Sequence, residues 1–349
     1  MQKKCLLPVL LALLMLLSGC RSQAQPAQIA ATTLPVYEFT SRLCEGTPLT
    51  VTRLVTESVS CLHDYSLNVR QVKAAEAAEV VVISRHGADN YENLDRHADA
   101  QIAVNTTPLG MYPNTGVSPV SLGRFPKLEA ALDVVYNPAR TEFLLQAERL
   151  GIPCANGLLM LTAQAKKSCE DFTGQPVPDS RITEITASLA ARMQNIIIIG
   201  MPGSGKTTIG TMLARQLGRE FVDADQVLEA QAGMPIPEIF RREGEAGFRA
   251  RETAVLAGLG RQSGLVIATG GGCVTRAENY PLLHQNGVIV CLHRALEKLP
   301  VSGRPVSQAL GPEAIYAQRK PLYARFADHM ISNDGAPEDT VRALREVVL

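Results

Sequence analysis

Apolar and polar positions alternate differently in the two halves of this chain. After residue 194, short runs of wholly apolar residues recur: Ile196-Ile-Ile-Ile199, Phe221-Val222 and Leu265-Val-Ile-Ala268. Each is followed by a longer stretch of mixed sequence at helical spacing. Short, uniformly apolar runs suit strands buried on both faces, and strands separated by helices predict a parallel sheet covered on both sides. Residues 194–349 are therefore expected to form a three-layer α/β domain. The pattern before residue 194 is sparser. Strands are expected near 29–33, 79–84, 101–105 and 132–136, making an incomplete α/β layer over 29–175. Gln175-Pro-Val-Pro-Asp179 interrupts the periodicity, and an amphipathic helix then runs to Met193 as a linker.

Composition narrows this picture only slightly. A length of 349 residues suggests two or three domains. Thirty-four basic side chains balance 34 acidic ones, so charge gives no argument for nucleic acid or an anionic membrane as partner. The eight cysteines include no C-x-x-C pair, so neither a zinc cluster nor a redox motif is indicated. Only Cys273 and Cys291 lie after residue 194, which fits a reducing cytoplasm.

The sharpest chemical signal follows the isoleucine run. Gly200-Met-Pro-Gly203-Ser204-Gly205-Lys206-Thr207-Thr208 completes G-x-x-x-x-G-K-[ST] between a predicted strand and a predicted helix. Glycines let backbone N–H groups turn toward phosphate oxygens, and the helix start adds its positive dipole end. Gly203, Ser204, Gly205, Lys206, Thr207 and Thr208 are the expected ATP-binding residues, with Lys206 reaching the β- and γ-phosphates and the Thr207 hydroxyl ligating Mg²⁺. An ordinary glycine turn is the competing reading, and the strand before it argues against that.

A phosphate loop does not name the acceptor. Asp223 and Asp225 stand just past the end of the short apolar strand, on the edge where ligands bind in parallel sheets. Alternation there would point both to one side, one for a metal shell and one for a hydroxyl nucleophile. Taken alone, Asp-x-Asp reads better as a solvated turn or helix cap. Gly270-Gly271-Gly272 follows the next strand and allows close backbone approach. Ser302-Gly303-Arg304-Pro305 suits a mobile lid, and Arg319-Lys320 lies on a helix expected to end near Pro321. A lone arginine on a helix is usually solvated.

The order of these elements over residues 194–349 resembles shikimate kinase, a P-loop kinase fold with a parallel sheet and lid. The resemblance rests on the phosphate loop, Asp223-Ala-Asp225, Phe248-Arg249 with Glu252, Gly270-Gly-Gly272, Gly303-Arg304-Pro305 and Arg319-Lys-Pro-Leu-Tyr323. It implies ATP- and Mg²⁺-dependent phosphorylation of the shikimate 3-hydroxyl. By that likeness Asp225, Lys206 and Arg304 would be catalytic. Asp225, Arg249, Gly271, Gly272 and Arg319 would hold shikimate, with the two arginines on its carboxylate. Thr207 and Asp223 would serve the metal, and Arg304 would close over the phosphates. The family is often monomeric. One departure is Ser332, which stands where an aspartate is common in the adenine-side loop, so adenine contacts are left unassigned.

The segments ahead of it resemble other families. Lys3 and Lys4 precede an apolar run from Cys5 to Leu17, too short to span a bilayer and suited to a secretory signal over residues 1–20. Leu17-Ser-Gly-Cys20 matches a lipobox, which would anchor the chain to a membrane through Cys20 if processed. Residues 21–83 resemble the start of a zinc-importer lipoprotein through Ala31-Thr-Thr-Leu-Pro35 and His63-Asp-Tyr65. His63 alone does not make a zinc site. Residues 84–182 resemble the NADP-binding part of shikimate dehydrogenase, a partial Rossmann fold, through Ser84-Arg85-His86, Asn105-Thr-Thr-Pro-Leu-Gly-Met111, Asp133-Val-Val-Tyr136 and Gln164. By that likeness Arg85 would meet the 2′-phosphate, and Tyr136 and Gln164 would face shikimate. No glycine occurs between Gly46 and Gly87, so the dinucleotide loop is missing and NADP is not expected to bind productively.

Residues 183–193 complete the linker helix. The Val82-Ile-Ser84 junction is expected inside a strand, and fragments parted from their partners are expected to pack poorly. Three functions compete: a cytoplasmic shikimate kinase, a metal-capturing lipoprotein, and a non-functional chimera.

Overall fold

The computed structural model describes residues 29–31, 51–53, 81–85, 87–299 and 311–348. The signal run, Cys20, His63 and the lid with Arg304 lie outside the described residues. The chain divides into two compact units, residues 1–82 and 83–349. In the first, β1 (Ile29–Ala31) pairs in parallel with β2 (Val51–Arg53).

The second unit holds two parallel sheets. The larger contains β6 (Asn195–Gly200), β7 (Phe221–Asp223), β8 (Val266–Ala268), β9 (Gly287–His293) and β10 (His329–Ser332), in the order β10-β9-β6-β8-β7. The isoleucine run is the central strand, as its uniform apolarity predicts. Ile196 and Ile198 point to one face with Ile209, Leu213, Val341 and Leu344. Ile197 and Ile199 point to the other with Phe248, Leu256, Tyr323 and Phe326. All four isoleucines are 0–1% exposed, and each such burial is worth about 1.5–3 kcal/mol.

Five helices pack around this sheet: α4 (Lys206–Leu217), α5 (Ala224–Ala232), α6 (Ile236–Gly260), α8 (Pro312–Phe326) and α9 (Pro337–Val348), with the short α7 (Asn279–His284) before β9. Helix α6 is broken at Gly244, whose φ of 67° no helix interior adopts. Helix α8 departs from expectation by continuing through Pro321 to Phe326. Proline removes one N–H, but the turn beyond it is anchored by the buried Tyr323 and Phe326.

The smaller sheet has the order β3-β4-β5, built from β3 (Ile102–Asn105), β4 (Ala130–Asp133) and β5 (Cys154–Ala155). Its helix α1 (Glu142–Arg149) is capped by the Thr141 hydroxyl, which accepts from Leu144 N–H. Phe143, Leu144 and Ala147 of α1 pack on Leu94, Leu122, Phe125 and Ala131. This small core is closed, contrary to the expected poor packing. On β3, Ile102 and Val104 are exposed. No strand forms over 81–85, which corrects the strand expected at 79–84 and the junction placed inside it. Helices α2 (Leu158–Thr173) and α3 (Ser180–Met193) then lead into β6.

Candidate active site

The phosphate loop begins where β6 ends. Gly203 and Gly205 have φ of 87° and 95°, the left-handed region that a side chain would resist. Gly205 is the N-cap of α4, so the helix starts at Lys206, with Thr207 and Thr208 exposed in its first turn. Lys206 Nζ donates to the carbonyls of Gly200 and Met201, each at 3.1 Å, and so lies folded against the loop. The buried Ser204 hydroxyl has no hydrogen-bond partner. That orphaned donor inside a ring of glycines suits a phosphate oxygen.

Across the cleft, Thr207 Oγ1 donates to Asp223 Oδ2 at 2.9 Å. Asp223 also caps α5, since its Oδ1 accepts from Asp225 N–H at 3.1 Å. Asp225 therefore stands in the first turn of α5 and not on the strand. Strand alternation is replaced by a cap, and the cap makes the two carboxylates neighbours. The cap reading of Asp-x-Asp holds. Burial raises the Asp225 pKa to about 6, helped by the charges of Asp223 and Glu252 and opposed by Lys206 and Arg249.

The three glycines let the opposite wall come close. A Cβ on Gly270 would lie 2.7 Å from Glu252 Oε1 and 2.8 Å from Asp225 Oδ1, and one on Gly272 would strike the Arg249 guanidinium. Arg249 and Arg319 are 7% and 5% exposed, so neither is the solvated helix arginine that sequence statistics favour. Arg249 Nη1 donates to Glu252 Oε2 at 2.8 Å, and Arg319 Nη1 donates to the Gly271 carbonyl at 3.0 Å. The Nε of each is buried without a partner. Burial raises the Glu252 pKa against the pull of Arg249. The Gly271 carbonyl also accepts from the Tyr323 hydroxyl.

One cleft of 620 Å³ joins these groups. Gly203, Gly205, Lys206, Thr207, Thr208, Asp223, Asp225, Arg249, Gly271, Gly272 and Arg319 all line it. Ser204 lies beneath it, and Arg304 is outside the described residues. Sequence reading left Asn333 without a role. Its side-chain amide donates to Ser204 O at 2.7 Å and its Oδ1 accepts from Thr340 at 2.9 Å, tying the corner after β10 to the phosphate loop. Glu252 and Tyr323 were quoted in motifs without a role of their own, and Arg294, which also lines the cleft, carried no signal at all. No cluster of three metal-ligating side chains occurs among the described residues. A nucleotide-bound Mg²⁺ needs only one or two protein ligands, so Thr207 and Asp223 fit it.

A phosphate cradle on a parallel sheet, facing a buried carboxylate and two buried cations, defines a small-molecule kinase of the P-loop class. A profile of the shikimate kinase family matches residues 202–348. Shikimate kinase from Parasynechococcus marenigrum (strain WH8102) is 45% identical over 168 residues, covering 45% of this chain and 87% of that protein. The Acinetobacter baumannii (strain AYE) shikimate kinase is 41% identical over 167 residues, covering 45% and 93%. The chain belongs to the shikimate kinase family. Among solved structures, shikimate kinase from Acinetobacter baumannii in complex with shikimate is 36% identical with a TM-score of 0.42, covering 46% of this chain and 96% of that one. Shikimate dehydrogenase 1 from Peptoclostridium difficile is 32% identical with a TM-score of 0.31, covering 34% of this chain and 49% of that one.

Proposed function

We propose that residues 194–349 transfer the γ-phosphoryl group of ATP to the 3-hydroxyl of shikimate. The observation that carries this reading is Asp225, a buried carboxylate with a raised pKa, in the same cleft as the phosphate loop and two buried arginines. Asp225 accepts the proton of the attacking hydroxyl, and its pKa near 6 makes it a better base than an ordinary aspartate while leaving it ionised at pH 7. Arg249 and Arg319 hold the acceptor's carboxylate through the N–H groups that have no protein partner. Gly271 and Gly272 offer backbone N–H groups to ring hydroxyls. Lys206 and the loop N–H groups of Gly203, Ser204, Gly205, Thr207 and Thr208 hold the phosphates. Phosphoryl transfer then rests on positioning and charge neutralisation more than on covalent chemistry.

Mg²⁺, held by Thr207 and in or near the reach of Asp223, would supply charge neutralisation between the β- and γ-phosphates. Arg304 is assigned to the closing lid on sequence alone. Residues 84–182 are a remnant of a dehydrogenase without its dinucleotide loop, and they hold no productive NADP. The need for ATP favours the cytoplasm, and no helix among the described residues is long and apolar enough to cross a membrane. The metal-lipoprotein reading and the lipobox rest on residues outside those described. The kinase domain acts as a monomer.

Replacement of Asp225 tests the assignment. Asp225→Asn should abolish shikimate-dependent ATP consumption, and intact turnover would remove Asp225 from the mechanism. Absence of NADP-linked shikimate oxidation by the same protein is expected, and measurable turnover would overturn the remnant reading.

A further inference from the structure

Arg294 leaves β9 at the edge of the sheet that carries the phosphate loop. Two residues earlier, Leu292 pairs with Gly200 at the end of β6, so closely that a Cβ on Gly200 would strike the Leu292 carbonyl. The residue after Arg294 is fixed in turn. Ala295 N–H donates to Asp334 Oδ1 at 2.8 Å, and Lys298 Nζ donates to Asp334 O at 2.9 Å. Asp334 adjoins Asn333, which holds Ser204. One corner after β10 therefore fixes both the phosphate loop and the backbone beside Arg294.

Arg294 lines the cleft with Pro202, Gly203, Lys206 and Thr207. Its Nε is buried without a hydrogen-bond partner. No carboxylate among the described residues pairs with it, and Asp334 of this corner is engaged by Ala295, Lys298 and Ser332. A guanidinium keeps its charge at any working pH, and a buried N–H without a partner is costly. Its planar fork matches phosphate oxygens, and the loop residues it shares the cleft with are those expected to hold phosphate.

We infer that Arg294 is a nucleotide-contacting residue, a fixed cation that donates to the phosphate chain from the end of β9 beside the phosphate loop. The inference rests on the ATP reading above and adds a contact outside the loop motif. Because Ala295 and Leu292 are both held, the backbone on either side of Arg294 is fixed.

Calorimetric titration of the full chain with ADP and with adenosine tests it, using wild type, Arg294→Gln and Arg294→Lys. Shikimate affinity and thermal unfolding report whether each variant is folded. Arg294→Gln should lose ADP affinity by roughly 10–100-fold, the worth of a charge-assisted hydrogen bond, with shikimate affinity unchanged. Arg294→Lys should recover part of it. ADP affinity within about twofold of wild type in Arg294→Gln overturns the inference, as does an equal loss for adenosine, which would place the contact on the base. If Arg294→Gln does not fold, Arg294→Lys decides: an affinity at the wild-type level overturns the inference, and a loss of about fivefold or more supports it. Wild-type protein that binds no ADP would remove the ATP reading itself, a result distinct from failure at Arg294.

Discussion

Burial and two acidic neighbours, Asp223 and Glu252, act together on Asp225 and lift its pKa to about 6. Two consequences follow. Below that pH the base is protonated, so kcat/KM should fall about tenfold per unit. The charge is also a cost to the fold: a carboxylate whose folded pKa lies above its unfolded value of 3.8 contributes stability at low pH and loses it as pH rises through about 6. Asp225→Asn removes that cost. It should lower turnover by about 10²–10⁴-fold while raising stability at pH 7.5 by on the order of 1–3 kcal/mol. Thermal unfolding and turnover of one preparation check both, and a variant that loses activity and stability together would contradict this. The type of each site residue was legible in sequence, but its environment was not. Arg249 and Arg319 read as surface residues until Glu252, Gly271 and Gly272 are folded around them, because burial of a cation depends on partners distant in the chain.

Strand β6 and helix α4 were the most legible elements, since four consecutive isoleucines leave no polar face and the glycine loop marks the turn between them. Helix α8 was misread at Pro321 because a local helix breaker is outweighed by the burial of Tyr323 and Phe326. Asp225 falls just past the strand as its position suggests, but the alternation expected to aim it is replaced, because Asp223 ends the strand and caps the helix in one step. The least legible tie joins the corner between β10 and α9 to the phosphate loop, since Asn333 and Ser204 lie 129 residues apart. Asn333→Ala leaves the Ser204 carbonyl unpaired and frees the loop. ATP affinity should weaken by about 5–30-fold, with little change in shikimate affinity. Unchanged KM for ATP would show that the loop holds its shape without this corner.

Residues 83–349 form one unit, and charged contacts join its two sheets. Arg140, which precedes α1, donates through Nε to Glu148 at 2.8 Å and through Nη1 to the His284 carbonyl at 3.1 Å. His284, 5% exposed, lies with Nε2 3.2 Å from Glu148 and Nδ1 3.7 Å from Asp328, and stacks on Tyr280. Burial lowers its pKa, but the two carboxylates outweigh this and raise it above 6.5. Burial alone would raise Glu148 and Asp328, yet His284 with Arg140 holds both below 4.5 and 3.8. The histidine contribution is complete below 6.5 and is lost as pH rises through its raised pKa, whereas the carboxylate contributions are lost only as pH falls through their lowered values. The join is therefore firmest between about pH 4.5 and 6.5. The midpoint of thermal unfolding should fall as pH rises above 6.5 through the raised pKa of His284, and His284→Gln should flatten that slope. An unchanged slope in the variant would place the pH dependence elsewhere. None of this was legible, because His284 and Glu148 lie 136 residues apart in the chain.

The most direct measurement is ATP consumption by the full chain with Mg²⁺, in the presence and absence of shikimate. Turnover that depends on shikimate is the predicted result. Absence of shikimate-dependent turnover, in protein shown by thermal unfolding to be folded, would contradict the assignment of this cleft as a shikimate phosphotransferase.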